Sequence, residues 1–231
     1  MPESETDAIR HLHLFNGMED AHFEALMRAA YVHNFPPQIE LITEGEPSDF
    51  LHVVLSGSVE LFASWNRRET SMATVEPVST FILAATIKDA PYLMSARTLE
   101  KSRIMLIPSQ DVRTIFAADA TFARAIVTEL AERYRSTVKT AKDLKLRSSL
   151  ERLANYLLRL HRETGKQRFT LPMEKRRLAA LLGMTPENLS RAFKTLQSYG
   201  VLIDGAQVEL QDPADLEGLA KPSPLIDDMT I

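Results

Sequence analysis

The residues with the most directional chemistry in this sequence stand close together, in Met184-Thr-Pro-Glu-Asn-Leu-Ser-Arg-Ala-Phe-Lys-Thr-Leu-Gln197. Arg191 carries a planar fork of N–H donors, Glu187 a pair of acceptors, Ser190 a small hydroxyl and Asn188 an amide that both donates and accepts. On a helix Glu187, Ser190 and Arg191 are neighbours at i, i+3 and i+4, with Thr185 at its start and Lys194 one turn further on. The matching partners are base-pair edges: guanine acceptors for Arg191, an amino group of cytosine or adenine for Glu187, and a thymine for Ser190. A suitably placed lysine contacts phosphate instead and carries no base preference.

Such a face needs a helix that starts cleanly and packs on its other side. Thr185 can accept from the first free backbone amides, Pro186 suits the first helical position, and Glu187 favours the positive helix start. Leu189, Phe193 and Leu196 recur at i, i+4 and i+7 as an apolar stripe. Upstream, Glu174 to Leu182 reads as a second short amphipathic helix with Leu178, Leu181 and Leu182 as its apolar residues and Gly183 at a left-handed stop. Helix, glycine turn, capped helix is a helix-turn-helix, which lays its second helix in the major groove of DNA. The alternative is a helical hairpin with a solvated charged face.

The charge distribution favours DNA. The chain of 231 residues has a net charge of −4, yet residues 139 to 211 hold 14 Lys+Arg against 7 Asp+Glu, a net +7, and the remainder is at −11. The length suits two domains. With no cysteine, the sequence has no disulfide, thiolate zinc site or iron–sulfur cluster. No apolar run approaches membrane-spanning length, and the acidic start Met-Pro-Glu-Ser-Glu-Thr-Asp differs from a secretory leader, so a cytoplasmic protein is expected.

Residues 8 to 31 read as short helices. From Phe35 to Ile107 the pattern changes to short runs, Ile39–Ile42, Phe50–Leu55, Val59–Ala63, Met72–Val75, Leu93–Leu99 and Arg103–Ile107, separated by turn signals. That spacing predicts a β-sandwich or jelly roll. Ser109 to about Leu146 reads as helix, with Val127, Leu130, Tyr134, Thr137, Ala141 and Leu144 spaced as a heptad seam. Leu150, Leu153, Leu157 and Leu160 open a further amphipathic helix, and Val201 to Leu210 reads as a hairpin with an Asp204-Gly205 turn, the wing of a winged helix. The expected class is therefore α+β: a β-domain with N-terminal helices over 1–118, a long helix over 119–146 whose seam suits pairing with a second copy or packing on its own β-domain, a winged helix-turn-helix over 147–220 and a flexible tail over 221–231.

In this order the chain resembles the Crp/Fnr family of bacterial regulators. Glu44-Gly45-Glu46 and Ser56-Gly57-Ser58-Val59 stand where that family's cyclic-nucleotide-binding-like jelly roll has its tight turns, and Glu187-x-x-Ser190-Arg191 matches its Fnr-like branches residue by residue. The resemblance implies a homodimer paired through the long helix, a TTGAT-type inverted repeat as target, and RNA polymerase as a partner if the protein activates. Members resembling the cAMP receptor carry Gly-Glu-Leu and Arg-Ser segments around the phosphate. Here those stretches read Ser79-Thr-Phe-Ile-Leu-Ala-Ala-Thr86 and Met94-Ser95-Ala96, so the glutamate and arginine are absent, although Arg97 lies nearby. A buried phosphate without its cation is costly. What remains resembles the cysteine-free Dnr and NnrR type, associated with nitric oxide and denitrification, some members of which use haem. Phe81, Leu83, Met94 and Ser95 are the candidate effector-pocket residues, and a cAMP-type regulator is the alternative. None of His11, His13, His22, His33, His52 and His161 shows a metal-ligand spacing, so no metal residue is assigned. Without clustered inward histidines or a Gly-x-Ser-x-Gly elbow, no catalytic residue is assigned either.

Overall fold

The computed structural model describes residues 3–228 apart from Arg67. Helices α1 (Glu3–Arg10) and α2 (Asp20–Ala29) precede strands β1 (Tyr31–Phe35), β2 (Glu40–Ile42), β3 (Phe50–Ser56), β4 (Val59–Trp65), β5 (Arg68–Val75) and β6 (Ser79–Phe81). Helix α3 (Leu83–Lys88) leads to β7 (Ser95–Thr98) and β8 (Ser102–Pro108), then α4 (Ser109–Ala118), α5 (Ala120–Leu146) and α6 (Ser149–Thr164). The remainder comprises β9 (Arg168–Thr170), α7 (Lys175–Leu181), α8 (Pro186–Leu196), a 3₁₀ turn (Gln197–Tyr199), β10 (Val201–Asp204), β11 (Gln207–Leu210), α9 (Pro213–Ala220) and α10 (Pro224–Asp227). Two compact units, Met1–Arg133 and Tyr134–Ile231, meet at a boundary inside α5.

In the first unit two antiparallel sheets, ordered β1-β8-β3-β6 and β2-β7-β4-β5, enclose Ile42, Val54, Val59, Leu61, Val75, Phe81, Ala96 and Ile104. The opposite face of β3 and β8, with Leu51, Val53, Met105 and Ile107, is covered by Phe15, Phe23, Leu26, Val112, Phe122 and Ile126 of the helical layer. Burial on both faces explains why β3 reads as a continuous apolar run rather than an alternation. In the second unit α6, α7 and α8 share a core of Leu153, Leu157, Leu178, Leu189, Phe193 and Leu196, closed by Phe169, Val201, Val208 and Leu210 of the sheet β10-β11-β9.

The structure departs from the sequence reading in four places. The helix expected from Ser109 to Leu146 is broken at Asp119, which is extended and caps α5: one carboxylate oxygen accepts from the Thr121 and Phe122 amides, each at 2.9 Å, and the other from the Glu19 amide at 2.9 Å. A side-chain cap can divide a helix without glycine or proline. Strands β1, β6 and β9 were not anticipated, because each is short and is defined by its partner: β1 by β8, β6 by β3 and β9 by β11. The segment expected as a flexible tail instead forms α10, whose Asp227 is gripped by Arg147; residues 229–231 of that expectation lie outside the described residues. Finally, Leu130 of the expected seam is half-buried against the core of the first unit. Leu144 leans on the helix-turn-helix turn, where a Cβ on Gly183 would come within 2.6 Å of its Cδ2. Val127, Tyr134, Thr137 and Ala141 are exposed.

Candidate functional site

Helix α8 begins as its residues demand. Thr185 accepts from the Asn188 amide at 3.2 Å, and Pro186 occupies the first turn, where its missing N–H costs nothing. Leu189, Ala192, Phe193 and Leu196 are buried, while Thr185, Glu187, Asn188, Ser190, Arg191 and Lys194 are all exposed. The six predicted contact residues therefore lie together on the helix and its cap. Within that face, Arg191 donates to the Asn188 side-chain oxygen, and the Ser190 hydroxyl donates to the Pro186 carbonyl at 3.0 Å. Glu187 is held below the usual carboxylate range by its own backbone N–H and by the Thr185 hydroxyl, so it is an ionised acceptor at neutral pH. The arrangement can donate a forked pair of bonds through Arg191 and accept one through Glu187, as base-edge reading requires.

What positions this helix is an arginine that the sequence pattern did not single out. Arg152, in the first turn of α6, is only 8 % exposed. Its Nε donates to the Leu182 carbonyl at 2.8 Å, Nη2 to the Gly183 carbonyl at 3.3 Å and Nη1 to the Arg147 carbonyl at 2.7 Å. Two of these acceptors close α7 just before the Thr185 cap. The third lies at the elbow between α5 and α6, where Ser148 and Glu151 form a reciprocal capping box. The only sequence signal was a charged residue beside Leu153 on the inward side of an otherwise apolar face. Arg147 in turn clasps Asp227 through two bonds of 2.6 and 2.7 Å and meets Asp143 at 2.9 Å. The Asp227 carboxylate raises the Arg147 pKa further above its ordinary range. Burial pushes the Asp227 carboxyl up, but Arg147 and the Ser223 amide outweigh it and leave the group below the usual range.

Residues 151–219 match the Crp-like helix-turn-helix domain, and residues 32–119 match the cyclic nucleotide-binding domain, in the chain order that one protein family combines. The chain is a Crp/Fnr-family regulator. It is 25 % identical over 215 residues to the CRP-like cAMP-activated global transcriptional regulator of Mycobacterium tuberculosis, covering 90 % of this chain and 96 % of that one. The FixK2 structure from Bradyrhizobium japonicum shares the fold at 23 % identity and a TM-score of 0.66, over 84 % of this chain and 98 % of that one. The sensor domain of the transcriptional regulator DNR from Pseudomonas aeruginosa does so at 19 % identity and a TM-score of 0.51, over 55 % of this chain and 91 % of that one. Among the described residues no helix is long and apolar enough to cross a membrane.

In this Crp/Fnr chain the predicted effector residues do not converge. Phe81 packs in the inter-sheet core and Met94 at its edge, whereas Leu83, beyond the left-handed Ile82, belongs to the helical layer. The Ser95 hydroxyl is taken up by the Glu44 amide at 3.0 Å. Arg97 alternates with the core residue Ala96, so it lies on the other face of β7, where its guanidinium meets Glu60 and Glu69, both at 2.7 Å, and stacks 4.3 Å above the Phe62 ring. Glu69 foremost, with Glu60, raises its pKa above the ordinary value. His52 lies inside the sandwich, 4 % exposed and 5.0 Å from the Phe81 ring, with its Nδ1 lacking a hydrogen-bond partner. Burial lowers its pKa to about 4, so the imidazole is neutral.

Proposed function

We propose that this Crp/Fnr regulator is a homodimer whose two copies of α8 read an inverted repeat of TTGAT type. The observation that carries the reading is the uninterrupted exposed face of Glu187, Asn188, Ser190, Arg191 and Lys194 above a fully packed stripe. The Glu-x-x-Ser-Arg pattern on that face supports the half-site. The exposed, unpaired stripe of Val127, Tyr134 and Ala141 supports pairing through α5, since a palindrome is read by a two-fold dimer. RNA polymerase is the further partner if the protein activates. Selection from a random DNA pool tests the reading: the expected product is a TTGAT…ATCAA repeat whose guanine preference relaxes when Arg191 is replaced by Ala. Enrichment of an unrelated motif overturns it.

The effector of this reading is not a cyclic nucleotide. Met94 offers no charge to a phosphate, and Arg97 is already engaged by two carboxylates on the outer face. A response to nitric oxide or low oxygen follows the resemblance to the Dnr and NnrR type. A haem does not fit between the sheets: the one histidine buried there, His52, packs against Phe81 among the side chains of the inter-sheet core. The absorption spectrum of protein purified from its own host tests this point, and a strong porphyrin band overturns it.

A further inference from the structure

Asp227, Arg147 and Arg152 connect the C-terminal segment to the turn before α8 without a gap. Asp227 holds the Arg147 side chain, the Arg147 carbonyl accepts from Arg152, and Arg152 holds the Leu182 and Gly183 carbonyls. A buried guanidinium with all three nitrogens committed is geometrically rigid: moving one acceptor forces the fork to abandon another. The segment is also fastened elsewhere. Asn155 donates to the Ala220 carbonyl at 2.7 Å, Arg162 pairs with Glu217 at 2.7 Å, and Lys142 and Lys139 reach the Leu225 and Asp228 carbonyls. Its attachment points on α5 are Lys139 and Lys142, and Arg147 follows directly after the helix ends at Leu146. The match to the Crp-like helix-turn-helix domain ends at residue 219, so α10 lies beyond the matched part.

We propose that Arg152 is a positioning residue for the recognition helix, and that residues 221–228 act as a strap which, through Asp227 and Arg147, fixes the carbonyl on which Arg152 bears. The proposal rests on the reading of α8 as the DNA-contacting helix. Losing the fork lets the Leu182–Thr185 turn shift, and α8 then meets the groove in a range of attitudes. Affinity falls while the preferred bases stay the same, because Glu187, Ser190 and Arg191 are unaltered.

The test uses the full chain and a DNA duplex obtained by selection with the wild-type protein. Binding is measured by fluorescence anisotropy for wild type, R152K, R152M, D227N and the D227N/R152M pair. The expected result is a loss of at least tenfold for R152M, partial recovery in R152K, and a loss of a few fold for D227N that disappears in the pair, with the selected motif unchanged throughout. The proposal is overturned if R152M binds within twofold of wild type, or if D227N costs the same factor with and without Arg152. If R152M does not fold, as judged by circular dichroism, R152K carries the same comparison. A wild-type protein that selects no motif defeats the DNA reading alone. In that case hydrogen exchange at the Met184 to Asn188 amides still decides the strap: faster exchange in both R152K and D227N supports it, and unchanged exchange sinks it.

Discussion

Arg191 and Asp119 illustrate two ways in which a single side chain matters here. Arg191 is exposed and stabilises the fold little, so its replacement by Ala should leave the melting temperature unchanged while costing about 1 to 3 kcal/mol of specific DNA affinity, measured as a ratio of dissociation constants on matched and guanine-substituted sites. Asp119 has the opposite character. It is 3 % exposed, and although burial pushes its carboxyl up, the Phe122 and Glu19 amides, His22 and the Thr121 amide outweigh this and bring its pKa from 3.8 down to about 2. Its folded value is depressed, so it contributes stability above pH 3.8 that is lost as the pH falls through 2. That contribution is about 2 kcal/mol. Denaturant titrations should show Asp119→Asn less stable than wild type at pH 7 by about that amount, the difference narrowing below pH 4; parallel curves at all pH values would refute the assignment.

Helix α8 was legible in the sequence because every signal that defines it is local: a cap, a proline and an apolar repeat within twelve residues. The elements that hold it were not, since Arg152 meets carbonyls about thirty residues downstream and Arg147 meets a carboxylate eighty residues away. No periodicity announces either partner. The same distinction explains the N-terminal domain, where glycine turns and apolar runs placed most strands, whereas the capture of Arg97 by Glu60 and Glu69 and the break at Asp119 depended on neighbours from other segments. A local signal can still be overlooked, as the Ser148 and Glu151 box was. Replacing Ser148 by Ala should remove an N-cap and cost about 1 kcal/mol, read in urea denaturation of the intact protein. A change below a few tenths would show that the Glu151 carboxylate caps the helix alone.

At the scale of the molecule, α5 serves three purposes along its length: its start is packed under the N-terminal helices, its middle presents an apolar stripe, and its end receives the C-terminal segment. Because Leu130 is packed within its own protomer, Tyr134, which is 71 % exposed, is the better place to test pairing. Tyr134→Glu combined with Ala141→Glu should bring like charges together at the two-fold, costing roughly 3 to 5 kcal/mol, and sedimentation should then show monomers. Calorimetry with cAMP should show no micromolar binding, and binding that also tightens DNA affinity would reverse the reading of the pocket. The pairing of Tyr31 with Leu106 and of Phe50 with Pro108 has a consequence for biosynthesis. The first sheet lacks its central strand until the ribosome has released residues 102–108, and until then the nascent chain carries β1 and β3 with open hydrogen-bonding edges. The winged helix is assembled from neighbouring segments and closes soon after it emerges. Ribosome stalling just before and just after β8 should therefore separate a protease-sensitive nascent chain from a resistant one, and slow folding should belong to the sensor rather than to the DNA-binding part.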